Sequence, residues 1–410
     1  MQKARCFARP WRGAPGRVVS VVRPLRLRSC TRIESSPPAY RRADDLASVS
    51  VTDALASRLG TRALELIDIP SVSRDEERLA AHVLAVLRTA GVNVRDAGDT
   101  CVIAGVERRG QRPFVLLAGH LDTVPAQDNV PGAQDADAIH GLGAADMKGA
   151  VAVMVELAIE QAHRQDDAAI DLGFVFFGRE ELPHSESALT PLLAREPGLC
   201  DADLAIVMEP TGGELQLGCL GNIFAQWTFH GRSGHAARPW LADNAIDRAA
   251  AGLSAVAGHA PIPVELAGLT YHEVVTATGV ESGVARNVIP DLAIAQLNHR
   301  YPPGMAPQEA ETRLHALCDP HGTLEVLSNA PSGPVPIGNA LVERLQRTGA
   351  LTVAAKQAWT PVAEFGAAGV DAVNFGPGEP AQAHARKEQV TRSALVHAFS
   401  TLRAFTEDAG

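Results

Sequence analysis

Residues 114–125 read Phe-Val-Leu-Leu-Ala-Gly-His-Leu-Asp-Thr-Val-Pro, an apolar run that ends abruptly in a polar cluster. A short apolar run bounded by glycine is typical of a strand that is buried on both faces, as in a parallel sheet. Three more runs of this kind occur, at 172–177, 204–208 and 372–375. Because sites in parallel sheets form at the carboxyl ends of the strands, the polar residues after each run are the first candidates for function.

The segments around these runs predict the fold class. Helical spacing at 55–67, 76–90 and 147–161 indicates helices beside and between the strands, as in an α/β sheet. Between 221 and 329 the pattern changes to strands of alternating polarity with one helix. We therefore predict an α/β protein with a discontinuous catalytic domain, built on a mostly parallel sheet, and an inserted α+β lid or dimerisation domain. The predicted boundaries are 44–220 and 330–410 for the catalytic domain and 221–329 for the insertion.

The first 43 residues differ in character from the rest of the chain. They hold eleven basic residues against one acid, Glu34, and they lack the continuous apolar stretch of a secretory signal. We interpret residues 1–43 as a disordered basic tail or as the product of a start codon assigned too far upstream. Since the whole chain still has a formal net charge of −10, the remainder is strongly acidic. A nucleic acid is therefore not the expected partner.

Length and composition favour a globular enzyme. A chain of 410 residues with 46% apolar residues can fill the cores of two domains. No apolar run approaches the roughly 20 residues that a membrane-spanning helix needs. The six cysteines are scattered without a Cys-x-x-Cys pair, which argues against a disulfide framework or a thiolate metal site. We expect a cytoplasmic protein with no membrane partner that acts on a small molecule.

The polar clusters after the strands contain residue types that bind metal ions. Further candidates lie in 141–149, Gly-Leu-Gly-Ala-Ala-Asp-Met-Lys-Gly, and in the loop after 374–378. Two histidines with three carboxylates suit zinc or cobalt, and a carboxylate shared by two ions would hold them about 3.5–4 Å apart. Taken singly, each residue has a simpler explanation as a surface or hydrogen-bonded core residue. The candidate ligands are His120, Asp146, Glu181, Glu209 and His384.

Two residues next to these candidate ligands, Glu180 and Asp122, are candidates for a general base and for a residue that orients a ligand. Glu180 precedes Glu181, and strand alternation would point the two carboxylates in opposite directions, one toward a metal and one toward the substrate. A carboxylate in that position can take a proton from attacking water and give it to the leaving amine, so Glu180 is the candidate general base. Asp122 lies two residues after His120 and could accept the other imidazole N–H, which would fix the metal-binding tautomer.

These residues, in this order, resemble the dizinc amidohydrolases, a family that includes desuccinylases, acetylornithine deacetylases and carboxypeptidase G. The resemblance extends from about residue 55 to residue 404. It implies that His120 and Glu209 hold one ion, and that Glu181 and His384 hold the other. Asp146 would bridge the two ions.

The resemblance also implies residues on the substrate side. His235, in Ser-Gly-His-Ala-Ala-Arg-Pro at 233–239, would help to bind the scissile carbonyl oxygen, in a homodimer across the interface. The segments 287–290 and 298–301 resemble those from which desuccinylases supply an asparagine, here Asn287, and an arginine, here Arg300. A guanidinium suits a substrate that carries a carboxylate, because it can pair with both oxygens.

Within the family, the segments 268–271, 283–290 and 373–378 are most similar to desuccinylases of the actinobacterial type. That similarity implies N-succinyl-LL-2,6-diaminopimelate as the substrate, in diaminopimelate and lysine biosynthesis. One segment departs from the pattern: 359–365 reads Trp-Thr-Pro-Val-Ala-Glu-Phe, with Pro361 and Glu364 where an aspartate and an arginine are expected. The departure affects the substrate pocket around Thr360.

Three other functions remain open from the sequence. An acetylornithine deacetylase or a general N-acyl-amino-acid amidohydrolase would use the same metals and Glu180, and would differ only around Asn287, Arg300 and Thr360. A carboxypeptidase or dipeptidase would release a free C-terminal amino acid. A non-catalytic binding module could keep the fold, but it would not need a complete set of ligands and a base.

Overall fold

The computed structural model of the chain describes residues 43–105, 112–164 and 168–407. The predicted basic tail at 1–43 lies, apart from its last residue, outside the described residues. Among the described helices, none has both the length and the apolar character needed to cross a bilayer. The helices are α1 (Ala43–Ile67), α2 (Glu77–Thr89), α3 (Gly149–His163), α4 (Leu189–Arg195), α5 (Ala245–Gly258), α6 (Pro307–Cys318), α7 (Ala340–Gly349), α8 (Val362–Ala367) and α9 (Arg392–Glu407).

The strands form one large sheet, one of five strands and two small ones. In chain order they are β1 (Val94–Gly98), β2 (Cys101–Ala104), β3 (Phe114–His120), β4 (Ala133–Gln134), β5 (Ala138–His140), β6 (Asp171–Phe177), β7 (Leu204–Val207), β8 (Leu215–Leu217), β9 (Gly221–His230), β10 (Gly234–His235), β11 (Ile262–Leu266), β12 (Leu269–Ser282), β13 (Val288–Ile289), β14 (Leu292–Tyr301), β15 (Thr323–Ala330), β16 (Val353–Ala355), β17 (Ala372–Asn374) and β18 (Gln389–Thr391).

The large sheet has eight strands in the order β1-β2-β6-β3-β7-β17-β8-β16. Its centre, from β6 to β17, is parallel, while β1 and β2 are antiparallel at one edge. Every residue of β3, β6 and β7 is buried, because helices cover both faces. Leucine and phenylalanine side chains of α1, α2, α7 and α9 join the core on one face, and those of α4 and α8 join the core on the other.

The five-stranded sheet is antiparallel, in the order β11-β12-β14-β9-β15, and all its strands lie between residues 221 and 330. Burial alternates along β9, so that Trp227 and Phe229 pack in a core with α5 and α6. The side chain of Asn244 accepts a hydrogen bond from the backbone N–H of Ile246 and begins α5. The predicted α/β class, with a mostly parallel sheet and an α+β insertion, is confirmed.

The structure differs from the sequence expectations in several elements. The helix predicted from residue 147 begins at Gly149, because the chain first makes a tight turn at Ala144–Lys148. The long strand β12 was not predicted, since the register shifts between Ala277 and Gly279 and interrupts its alternation. The short strands β8 and β16 were also not predicted; each has three residues, and Gln216 interrupts the apolar residues of β8.

Candidate active site and metal centre

A cavity of about 520 Å³ lies where the carboxyl ends of the parallel strands face the five-stranded sheet. Four carboxylates and a histidine line its floor, and the five-stranded sheet contributes polar, aromatic and cationic side chains. The lining residues that matter below are Asp146, Glu180, Glu181, Glu209 and His384 on the floor, Asn222, Phe224 and Arg300 from the five-stranded sheet, and Lys356 and Trp359 beside β16.

His120 ends β3 and is almost fully buried behind this floor. Its Nε2 lies 3.1 Å from Oδ1 of Asp146 and 3.6 Å from Oε1 of Glu209. Its Nδ1 lies 3.0 Å from the backbone oxygen of Asp122 and 3.5 Å from the Asp122 carboxylate, so the backbone oxygen is the closer acceptor. Burial lowers the pKa of His120, but hydrogen bonds to Asp122 and Asp146 outweigh it and raise that pKa well above its usual value.

Asp146 lies between the two histidines of the site. It belongs to the tight turn before α3, and the peptide bond to Met147 is cis. Its Oδ1 faces His120, whereas its Oδ2 lies 3.6 Å from Nε2 of His384. One carboxylate therefore directs a different oxygen at each histidine, which is the arrangement that a bridging ligand needs.

The second histidine pairs with Glu181. Nε2 of His384 lies 2.9 Å from Oε1 of Glu181, and this hydrogen bond raises the pKa of His384 to about 9. His384 has a φ of 59°, an uncommon value for a residue other than glycine. Gln127 Nε2 donates to the backbone oxygen of His384 at 3.0 Å and helps to hold this turn. Glu181 and His384, which the resemblance assigns to the same ion, are thus in direct contact.

The expectation that strand alternation separates Glu180 from Glu181 is wrong. Strand β6 ends at Phe177, and both glutamates lie in the turn that follows, with both side chains lining the cavity. Asp122 determines this turn, because its two carboxylate oxygens accept the backbone N–H groups of Glu180 and Glu181 at 3.0 and 3.1 Å. Asp122 also accepts the hydroxyl of Ser73 at 2.8 Å.

Two carboxylates of the floor have raised pKa values, because they are buried close to other negative charges. Burial and the charge of Asp146 raise the pKa of Glu209 to about 7, and burial and Glu209 raise the pKa of Glu180 well above its usual value. Oε1 of Glu209 is buried and accepts no hydrogen bond from any described residue. Buried carboxylates that lack donors fit cation ligands better than structural roles.

The donor atoms also have spacings suited to metal binding. Ligand atoms of His120, Asp146 and Glu181 lie within 4.8 Å of one another, as do those of His120, Glu180 and Glu209. Two atoms each about 2.0–2.1 Å from a tetrahedral zinc ion lie about 3.3 Å apart, close to the nitrogen–oxygen distances above. The residues therefore fit two divalent ions.

Sequence reasoning missed the residues that hold the Asp146 turn. The buried carboxylate of Glu388 accepts the backbone N–H groups of Gly143, Ala145 and Asp146 at 2.9 to 3.0 Å. Nζ of Lys148 donates to the backbone oxygen of Ile69 at 2.7 Å, and burial lowers its pKa to about 8. Glu388 lies only four residues after His384, but nothing in the sequence indicates that its partners are 242 to 245 residues away.

Several predicted substrate residues do not line the cavity in a single chain. His235 is exposed in β10, where its Nδ1 accepts the backbone N–H of Ala237, and Asn287 is exposed in the turn before β13. Thr360 is buried beside Trp359, with an Oγ1 that has no partner among the described residues. Of the predicted substrate contacts, only Arg300 lines the cavity.

The departure at Glu364 also lies away from the cavity. Its carboxylate is buried and accepts hydrogen bonds from Ser187 Oγ at 2.8 Å and from Thr190 Oγ1 at 2.6 Å. The Glu364 carboxylate, in α8, therefore links this helix to the start of α4. The cations that line the cavity are Arg300 and Lys356, of which the sequence indicated only the first.

Comparison with curated proteins identifies relatives over most of the chain. A Mycobacterium tuberculosis protein provisionally named succinyl-diaminopimelate desuccinylase DapE is 37% identical over 343 residues, covering 83% of this chain and 95% of the relative. The Corynebacterium glutamicum succinyl-diaminopimelate desuccinylase is 34% identical over 351 residues, covering 84% of this chain and 94% of the relative. These relatives confirm the resemblance inferred from the motifs.

Solved structures share the fold at lower identity. Aminopeptidase PepT from Bacillus cereus superposes with a TM-score of 0.70 at 18% identity, over 86% of this chain and 98% of that one. The YXEP protein of Bacillus subtilis, described as a dinuclear metal-binding peptidase from the M20 family, has a TM-score of 0.62 at 16% identity, over 87% and 98% of the two chains. The model of peptidase family M20/M25/M40 matches residues 116–408. The chain is a metal-dependent hydrolase that belongs to peptidase family M20/M25/M40.

Proposed function

We propose that this protein hydrolyses N-succinyl-LL-2,6-diaminopimelate to succinate and LL-2,6-diaminopimelate, in diaminopimelate and lysine biosynthesis. The observation that carries the proposal is the identity of 34 to 37% with two desuccinylases across almost their whole length. The peptidase structures are 16 to 18% identical and support the fold rather than the substrate.

The distances between the site residues support the ligand assignment that the family resemblance implies. His120 and Glu209 would hold one ion, Glu181 and His384 would hold the other, and Asp146 would bridge. The different oxygens that Asp146 turns toward the two histidines support this assignment. A set of imidazole and carboxylate donors suits zinc or cobalt. When bound, two such ions polarise a carbonyl and increase the acidity of an attacking water.

Glu180 is the proposed general base. It lies in the cavity among the ligands, and its burial raises its pKa, which suits a group that must accept a proton before it releases it again. It takes a proton from the water whose oxygen attacks the amide carbon. As the carbon–nitrogen bond breaks, Glu180 gives that proton to the leaving amine, and the acyl part leaves as succinate. Asp122 holds the base in place through the backbone of the turn.

Arg300 is the proposed partner of the succinyl carboxylate. Its Nε donates to Oδ1 of Asn298 at 2.8 Å, and no described carboxylate forms an ion pair with its guanidinium. Arg300 is half-buried at the cavity wall, so a substrate carboxylate there would be partly shielded from water. Thr360 is assigned to the same pocket by resemblance.

We further propose a cytoplasmic homodimer in which the insertion at 221–329 forms the interface between catalytic domains built from 44–220 and 330–410. The exposed segment that carries His235 also exposes Trp240 and Leu241, 75% and 60% accessible, which is unusual for large apolar side chains. In such a dimer, His235 and Asn287 would reach the cavity of the partner. Light scattering tests this point, with twice the monomer mass as the expected result.

The function is tested by stripping the enzyme of metal with a chelator and titrating zinc or cobalt back while succinate release is followed. We expect turnover of N-succinyl-LL-diaminopimelate to return with metal and to reach its maximum near two ions per chain. Absence of succinate release from the reconstituted enzyme, with normal metal binding, would show that the substrate is wrong.

A further inference from the structure

Lysine is rare in this protein, and two of the three lysines that the structure describes are buried. Only Lys3, Lys148, Lys356 and Lys387 occur among 37 basic residues, so arginine carries nearly all the positive charge. In the described part of the chain, Lys148 and Lys356 are 1% and 5% exposed. Burial of an ammonium group is costly unless it is paired, so each of these two lysines requires an explanation.

The two buried lysines have different surroundings. Lys148 lies behind the metal site, with its Nζ bound to the backbone oxygen of Ile69 and the carboxylate of Glu388 acting on its charge. Lys356 lines the cavity, and its Nζ makes one hydrogen bond, to the backbone oxygen of Pro210 at 3.0 Å. Among the described residues no carboxylate lies within 4.0 Å of that nitrogen, so two of its donors are free for a ligand.

Lys356 is held on a rigid part of the fold. It follows β16, and its backbone N–H donates to the oxygen of Leu217 at the end of β8, at 3.3 Å. It therefore approaches the cavity from the eight-stranded sheet, beside the ligand Glu209. Arg300 approaches from the five-stranded sheet. The cavity thus has two cations on different walls, and neither is paired with a carboxylate of the described chain.

The charge of the cavity indicates what these two cations bind. Four carboxylates line the floor, Asp146, Glu180, Glu181 and Glu209. Two divalent ions would offset these four negative charges, which leaves the charges of Lys356 and Arg300 uncompensated. A substrate with one carboxylate on each side of the scissile amide would match this arrangement.

We propose that Lys356 is a substrate-binding residue that receives the carboxylate on the amine side of the scissile amide, while Arg300 receives the carboxylate of the acyl group. The substrate class is then N-acyl amino acids whose acyl part is also acidic. This inference rests on the proposed function for the reaction and for the position of Arg300. The competing role for Lys356 is to offset the charge of the carboxylate floor, without contact to the substrate.

Substrate analogues distinguish the two roles. We would measure kcat/KM of wild type, Lys356→Met and Arg300→Met on three compounds. These are N-succinyl-LL-diaminopimelate, its analogue with a carboxamide in place of the carboxylate next to the amide, and its analogue with butanoyl in place of succinyl. We expect Lys356→Met to lose roughly 10- to 100-fold on the parent compound, with little further loss on the carboxamide, because the missing contact is the same.

The same variant should still prefer succinyl over butanoyl, whereas Arg300→Met should lose that preference and keep its dependence on the amine-side carboxylate. An equal loss by Lys356→Met on all three compounds would overturn the proposal in favour of the charge-offset role. Loss of the succinyl preference in Lys356→Met would also overturn it, because it would reverse the assignment of the two cations.

Product binding gives a second readout that needs no turnover. Calorimetry on the metal-loaded enzyme should show weaker binding of LL-diaminopimelate to Lys356→Met and unchanged binding of succinate. Lys387→Met, at the exposed lysine, is the matched control and should behave as wild type. Metal content and melting temperature check that the variant is loaded and folded, and Lys356→Gln replaces it if Lys356→Met does not fold.

The experiment separates a wrong substrate from a wrong role for Lys356. If wild type does not cleave N-succinyl-LL-diaminopimelate, the comparison is made with the N-acyl amino acid that it does cleave and the corresponding carboxamide. Loss of dependence on the amine-side carboxylate in Lys356→Met would still support the role of Lys356. Retained dependence would overturn it, whichever acyl group the enzyme prefers.

Discussion

The two large sheets contribute to the cavity in different ways. The eight-stranded sheet is buried on both faces, and its functional residues come from the last residue of a strand, as His120 does, or from the turns beyond the strands, as Glu181 and His384 do. The five-stranded sheet buries one face only, and its contributions, Asn222, Phe224 and Arg300, come from within strands. With the proposed roles, the reaction would be carried by residues of the first sheet and selectivity largely by the second, with Lys356 as the exception.

The largest effect is expected from loss of the base. Glu180→Gln removes the proton carrier and keeps the shape of the side chain and the ligands, so kcat should fall about 10³- to 10⁴-fold. Metal content, measured by elemental analysis, should stay near that of wild type. Glu186→Gln, at a nearby glutamate paired with Arg74, is the control. Substantial residual activity in Glu180→Gln would mean that another group is the base.

A smaller and more selective effect is expected from the five-stranded sheet. Arg300→Ala should lower kcat/KM for the succinyl substrate about 10- to 150-fold, the scale of charged hydrogen bonds of about 1.5–3 kcal/mol. Activity on acyl groups without a carboxylate should change much less, because the guanidinium has nothing to pair with there. Unchanged kinetics on the succinyl substrate would show that Arg300 does not bind the substrate carboxylate. The proposal that the five-stranded sheet provides selectivity would then be wrong.

Removal of metal should give the floor of the cavity an unusual pH dependence. Burial raises the pKa of Glu209 to about 7, and the bond to Glu181 raises that of His384 to about 9. Groups whose pKa is raised on folding bind more protons in the native state, so stability falls as the pH rises through these windows. The metal-free protein should gain on the order of 2 kcal/mol between pH 7 and pH 5.

Denaturant unfolding at several pH values measures this gain, and metal-free Glu209→Gln is the comparison. The variant lacks the titrating carboxylate and should show a smaller gain on acidification. Equal gains in the two proteins would show that Glu209 is not buried among like charges in the folded protein.

The smallest effect concerns the support of the site. Both carboxylate oxygens of Glu388 accept backbone N–H groups of the Asp146 turn, three in all. Glu388→Gln keeps only one accepting oxygen, so the turn should be more mobile. We expect about tenfold weaker metal affinity, the low end of the range for residues that orient ligands. Competition with a metal-binding dye measures it, and Glu343→Gln on the exposed face of α7 is the control. Unaltered affinity would show that the turn keeps its conformation without the hydrogen bonds to Glu388.

The features that could be predicted from the sequence are those determined by patterns within a few residues. The buried strands, the ligand candidates at their ends and the change of texture near residue 221 follow from runs and alternation within a few residues. The contacts of Glu388 and Lys356 could not be predicted. Each side chain forms hydrogen bonds with backbone groups that are distant in sequence. Alternation also failed for Glu180, since it assumed that β6 continues beyond Phe177.

The resemblance added roles that local pattern could not supply, and it was least informative about the substrate pocket. It assigned Thr360, Asn287 and His235 to the substrate, and none of these lines the cavity of a single chain. The departure at Glu364 turned out to be a structural carboxylate that binds Ser187 and Thr190. The family pattern thus names ligand candidates that lie close together in the structure, whereas only one of its substrate contacts, Arg300, lines the cavity of a single chain.

The most direct test of the central claim is the ratio of kcat/KM values for N-succinyl-LL-diaminopimelate and N-acetylornithine, measured on the same metal-reconstituted preparation, with a dipeptide as a third substrate. We expect a clear preference for the succinyl compound, because Arg300 and Lys356 would each bind one of its carboxylates. A preference for N-acetylornithine or for the dipeptide would contradict the proposed function, even if the metal centre and Glu180 act as described.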